Sequence, residues 1–361
     1  MLYISVFRAY VSLAYEGSAP DWFQQLIDIL YPRFQVEKQR FELSFFLFKA
    51  DQILVRTLLL ALGISFTLWI LSPKQFLEKN IKLHSPSFYS LLVTIFYLGL
   101  LYFTWMWIWD FEQIVRMKSF YKGVLLYRIF HLPILPLPLY YSLYVLYILS
   151  IISVLFRYRE VLFSTIAAVI LLLFQGYSFS FEKIDHGQVT LTYTAMLMPA
   201  LLYELRVQDN NKRPLNSHKF SWILFLIQLT IAGVYFLAGA EKLLTSGFEW
   251  ATVETFRSYV YLHGQELGIK LAENNLLAHI LPWGALLFQL FFFVILFQKR
   301  LKILILILGV FFHLGTKLLM DIGPYFSSWI FVYIFFIDWD SLLARWNEFM
   351  TRRHKKSQNG A

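Results

Sequence analysis

Charged residues in this chain fall almost entirely in the breaks between long apolar runs, and that segmentation decides the fold class. A run of roughly 20 apolar residues matches the length an α-helix needs to cross the hydrocarbon core of a bilayer. Inside lipid every backbone N–H and C=O must be satisfied within the segment, so such runs are read as helices. The runs fall at 53–72, 88–109, 138–155, 161–178, 187–204, 220–240, 276–297 and 301–319, with a short ninth at 326–337. The expected fold is therefore all-α, a polytopic transmembrane helical bundle of eight to nine spans. Only 15% of residues are charged and 58% are hydrophobic, whereas soluble domains carry about 25% charge.

The same segmentation divides the chain. Residues 1–52 read as a polar–aromatic leader without a signal-peptide pattern, its Phe45–Phe48 patch suited to the membrane interface. Residues 53–340 form the transmembrane domain, and 341–361 a basic tail containing RRHKK. Pro133, Pro136 and Pro138 resist helix-interior geometry and predict an extended or re-entrant approach to the third span. A net charge of +9 does not point to nucleic acid, because the basic residues sit in the breaks; the partner implied is membrane lipid. The absence of cysteine excludes disulfides and thiolate chemistry. No HxxxH pattern occurs, and the His263/Glu266 pair lacks a third ligand, so no metal site is expected. Oligomeric state is not legible.

Lys and Arg cluster in alternate breaks, at 74–82, 157–159, 206–219, 299–300 and the tail. The positive-inside rule places those on the cytoplasmic face, the C-terminus among them, and the acidic loop 241–275 outside. The 110–131 loop alone violates the bias. The localisation this implies is multi-pass, in a bacterial cytoplasmic membrane.

Under that topology the unusual polar residues gather near the outer leaflet. YFLAGAEK ends the sixth span: Tyr235, Gly239 and Lys242 share a helix face, and the small residues let a helix or flat ligand approach Lys242. Snorkelling of the Lys242 ammonium is the plain alternative. His186 opens the fifth span, with Thr190 and Tyr193 on its face. The eighth carries His313, Lys317 and Asp321 at steps of four. An ionisable side chain inside apolar sequence must find a partner or line a cavity. Two histidines, two lysines and several carboxylates at one depth favour a reaction or ligand cavity over isolated interhelical bonds.

Four stretches, FHLPILPLP, IDHG, VYFLAGAEKL and FFHLGTKLLMDIGPY, resemble the vitamin K-dependent gamma-carboxylase-like membrane domain, the horizontally transferred transmembrane (HTTM) domain. The resemblance covers residues 86–338. It implies a quinol-using carboxylase or epoxidase that takes reduced vitamin K, oxygen and carbon dioxide to glutamate carboxylation on a peptide or protein substrate. Lys242 looks like the base that deprotonates the hydroquinone, with His186 and His313 as the family's histidines and Tyr235, Gly239, Tyr193, Lys317 and Asp321 around the cofactor. The chain departs from the family at Glu241, which stands where the family has Lys, and in lacking a large luminal domain after the last helix. Three classes stand open: a quinol-dependent enzyme, a non-catalytic quinone- or lipid-binding membrane protein, and a small transporter or export component. A transporter would be expected to show paired repeats, and none is visible.

Overall fold

The computed structural model describes residues 2–31, 34–70, 86–108, 118–124, 126–181, 186–211, 218–298, 300–346 and 348. Among these the regular structure is entirely helical. The chain begins with α1 (Leu2–Glu16), α2 (Asp21–Leu30), the single turn α3 (Phe34–Glu37) and the long α4 (Leu43–Ile70). There follow α5 (Pro86–Ile108), the single turn α6 (Leu126–Ile129), α7 (Leu137–Leu155), α8 (Glu160–Phe179), α9 (His186–Asn211) and α10 (His218–Ser246). A hairpin of α11 (Val253–His263) and α12 (Glu266–Glu273) leads into α13 (Asn275–Phe291) and α14 (Lys302–Met320). The single turn α15 (Ser328–Phe331) then continues as a 3₁₀ segment, Val332–Phe336.

Helix boundaries follow local chemistry. Pro136 caps α7 in an extended conformation with Pro138 in the first turn, so the proline-rich approach ends where the helix starts. Side chains of Thr252, Asn274 and Ser327 accept the N–H of Thr255, Leu277 and Ile330, satisfying orphan donors at the starts of α11, α13 and α15.

Six helical stretches among the described residues are long and apolar enough to cross a membrane: 88–105, 137–155, 160–179, 222–251, 275–296 and 302–320. This corrects the expected eight to nine. The candidate at 53–72 lies on α4, with its last two residues outside the described set. The candidate at 187–204 is helical, but its first half brings Gln188, Thr190, Thr192 and Thr194 into an otherwise apolar segment. The ninth, 326–337, is one α-turn followed by 3₁₀ turns rather than a spanning helix.

That last segment nonetheless occupies the centre of the bundle. Phe331, Val332, Tyr333, Phe335 and Phe336 are buried in one apolar cluster with α5, α7, α8, α9 and α10. Two glycines make room for it: a Cβ on Gly99 of α5 would overlap the Phe331 ring, and one on Gly309 of α14 would overlap the Tyr333 hydroxyl. Lipid offers little hydrophobic drive for helix association, so such close packing and interhelical hydrogen bonds carry the assembly. Gln228 Nε2 donates to the Phe335 carbonyl at 2.7 Å, Tyr97 donates to Ser164 at 2.5 Å, and Thr104 meets the Tyr147 hydroxyl at 2.8 Å. Thr192 donates to Gln175, which donates in turn to Gln188, locking α8 to α9.

The leader is a folded unit with its own core of Val11, Ala14, Phe23, Ile27, Phe34, Phe46 and Ala50. Helix α4 runs unbroken through position 52. Gln52 Nε2 donates to the Leu244 carbonyl at 3.2 Å, and Arg128 pairs with Asp28 at 3.6 Å, so this unit packs against the end of the bundle where α10 finishes.

Candidate functional site

Helices α10 and α13 pack antiparallel, with register set by the pairs Tyr235–Phe292 and Phe236–Phe293 and by Gly239 against Gln289 and Leu290. A Cβ on Gly239 would lie 3.0 Å from the Leu290 backbone nitrogen and 3.1 Å from Gln289 Cβ, so glycine here sets the close approach of the two helices. Tyr235 lies one turn deeper than Gly239 and Lys242 one turn nearer the helix end. The three levels span roughly 10 Å along the axis at 1.5 Å per residue.

The deepest level is a hydrogen-bonded trio. The Tyr235 hydroxyl meets His313 Nε2 at 2.5 Å and the Tyr333 hydroxyl at 2.8 Å, joining α10, α14 and the central 3₁₀ segment. Tyr235 is 2% exposed and Tyr333 4%. Phe292 stacks on Tyr235 at 4.1 Å between ring centres, and Trp329 stacks on the His313 imidazole at 5.8 Å. One imidazole nitrogen and two hydroxyls thus satisfy one another inside an aromatic box, where an unpaired polar group would be costly.

The middle level was not read from the sequence. Gln289 is 8% exposed, and its Oε1 is buried with no hydrogen-bond partner among the described residues. A single Gln in an apolar run gives little signal; only its position across from Gly239 marks it out.

At the outermost level Lys242 is half-buried. Its Nζ donates to the Ala238 carbonyl at 3.3 Å and sits 5.1 Å from the centre of the Trp250 ring, in the 3₁₀ turn Gly247–Ala251. Glu241 is exposed, as the ~100° offset between successive helical residues allows.

The remaining candidates are dispersed. Lys317 binds Asp321 at 2.5 Å and lies 5.5 Å from the Tyr325 ring centre, so its charge is answered one turn beyond His313. The Lys317 hydrogen bond and charge hold the Asp321 carboxyl below its ordinary range. Tyr193 is 46% exposed, unlike the buried Tyr235 and Tyr333. His186 is the first residue of α9 and its side chain lies outside the described residues. Thr190, one turn on, is fully buried with its hydroxyl unpartnered among the described residues. No group of three or more His, Asp or Glu side chains placed to hold a metal occurs among the described residues. Compared with protein-family models, with curated proteins and with solved structures, the chain matches none.

Proposed function

We propose that this polytopic membrane protein binds a quinol and that Lys242 is the base acting on it, as in the gamma-carboxylase-like membrane domain that its motifs resemble. The observation that carries this reading is the 2.5 Å contact between Tyr235 and His313. It joins the VYFLAGAEKL helix to the FFHLGTK helix, 78 residues apart in sequence, at part-buried polar groups. The orphaned Gln289 Oε1 supports a ligand bearing a hydroxyl, since a buried acceptor without a donor costs free energy until one arrives. A bound quinol would supply an acidic hydroxyl and reducing electrons. Lys242 Nζ takes the hydroxyl proton in its neutral form. The Trp250 face then stabilises the resulting ammonium by cation–π attraction. Tyr235, held by His313 and Tyr333, keeps a fixed dipole below, and the rings of Phe292 and Trp329 exclude water.

A non-catalytic binding protein of the same architecture is the second reading. The specific observation favouring it is that Lys242 already has a carbonyl acceptor and an aromatic face, both of which suit a permanent ammonium. Lys242→Met separates the two, because it keeps the apolar stem and removes the amine. Purified protein given reduced vitamin K and oxygen is expected to form epoxide, and the variant to form none while still binding the quinol. Equal background from both proteins, with binding intact, places the binding reading first.

The orientation proposed with this function has the Lys242 end of the bundle outside and the 205–219 loop in the cytoplasm of a bacterial cell. Because the chain is free of cysteine, Asn210→Cys and Tyr261→Cys provide single labelling sites. A membrane-impermeant maleimide added to whole cells should modify position 261 and spare 210; the opposite pattern inverts the topology.

A further inference from the structure

In the N-terminal unit several charges are paired or set over aromatic rings, while a set of apolar residues outside its core faces outward. Arg8 pairs with Asp51 at 2.5 Å and Asp28 with Arg128, while Lys38 and Lys49 lie over the rings of Tyr15 and Phe45 at 5.6 and 5.5 Å. On the opposite side, Val6, Ala9 and Leu13 form an exposed stripe along α1 at helical spacing. Trp22 and Leu26 do the same on α2, next to the buried pair Phe23 and Ile27. A helix facing water presents polar residues on its outer face. On these helices the apolar stripe extends past the buried core face, beside exposed Glu16, Asp21 and Gln25.

Two further observations say what lies against that face. First, the Gln52–Leu244 hydrogen bond pins the unit at the level where α10 ends, two residues past Lys242. Second, the outward stripe continues down α4: Phe48, Val55 and Leu58 are 51%, 41% and 55% exposed, leading from the unit directly onto the flank of an apolar helix. Aromatic and aliphatic groups backed by lysines at the end of a membrane helix are the chemistry of the headgroup–acyl boundary. We propose that α1 and α2 form a membrane-interface platform, with Val6, Leu13, Trp22 and Leu26 embedded in lipid beside the mouth of the Lys242 site. This holds whatever Lys242 does.

Three variants, Val6→Cys, Leu13→Cys and Leu26→Cys, with Gln39→Cys as an exposed control, would each carry one nitroxide in the full chain reconstituted in phosphatidylcholine–phosphatidylglycerol vesicles. Power-saturation spectroscopy compares collision with oxygen, which partitions into lipid, against a nickel chelate, which stays in water. Labels at 6, 13 and 26 are expected to favour oxygen over nickel several-fold more than the label at 39. Nickel accessibility at all three equal to that at 39 overturns the proposal. So does protection from both reagents with spin–spin broadening that disappears on dilution with unlabelled protein, since a second copy then covers the face. Each labelled protein is compared with the parent by thermal melting, and a site counts only where the fold is retained.

Discussion

Two neighbouring turns in the C-terminal half of α14 solve the same problem in opposite ways. Around His313 the polar groups are nominally neutral, come from three separate elements, and bond one another within an aromatic box. One turn further on, Lys317 and Asp321 are charged, come from a single helix end, and pair across i and i+4 beside solvent. Burial accounts for the contrast. An ion taken deep into a low-dielectric interior loses several kcal/mol of hydration that one partner rarely returns, whereas a hydroxyl–imidazole pair loses far less. At the helix end water supplies the remaining hydration, and local pairing suffices.

The strongest way to break the buried arrangement is through the glycine that admits Tyr333. A side chain at Gly309 collides with the Tyr333 hydroxyl, which cannot move without giving up its bond to Tyr235. Gly309→Leu is expected to cost about 1–3 kcal/mol or more from overpacking, read as a lowered melting temperature in detergent or nanodiscs. Gly315 lies on the same helix with open space at its Cβ position. Gly315→Ala should leave the melting temperature unchanged or slightly raised. Equal loss from both would mean that α14 tolerates no change anywhere, and the tight seat of Tyr333 would not be the cause.

A smaller effect sharpens the comparison. Tyr235→Phe keeps the ring against Phe292 and removes the hydroxyl shared by His313 and Tyr333. The expected cost is roughly 1–3 kcal/mol, since both partners lose a buried hydrogen bond. A double-mutant cycle with His313→Leu should give a coupling near 1 kcal/mol, within the range seen for contacting residues. Additivity of the two variants would mean that the 2.5 Å contact contributes nothing to the folded state.

How far the sequence could lead is set by the same distinction between local and long-range partners. Lys317 and Asp321 are a step of four apart, and Tyr235, Gly239 and Lys242 share a face, so their juxtapositions follow from helix geometry alone. The helical membrane class follows as directly from the apolar runs. The bond from Tyr235 to His313 is different: sequence marked both residues, but that they meet depends on how three elements pack. Tyr333 carries no such mark, because 326–337 is too short to span, yet glycines on α5 and α14 seat this segment in the core. Gln289 gained meaning only when placed opposite Gly239. The average polarity of the leader does not show which of its charges meet rings or counter-charges, as Arg8 does with Asp51 and Lys38 with Tyr15.

The smallest effect lies at the exposed end of α14. Asp321 follows the helix in a left-handed conformation, φ 54°, which Asp and Asn tolerate better than most residues. Its carboxyl is held below its ordinary value first by the hydrogen bond and charge of Lys317, with a further hydrogen bond from Gln265. A carboxyl whose pKa is lower in the folded than in the unfolded chain contributes stability above the unfolded value, near 3.9, and loses it as pH falls through the folded one. The contribution is therefore present at neutral pH and disappears in the acid range below about pH 4. Asp321→Asn keeps the backbone preference and the capping position while removing the charge. The wild type should melt slightly higher than this variant at pH 6, and the difference should shrink toward zero as pH falls below 4. A pH-independent gap for Asp321→Asn would assign its role to the helix cap rather than to the ion pair, and would leave the charged end of α14 without the electrostatic contribution that sets it apart from the neutral trio.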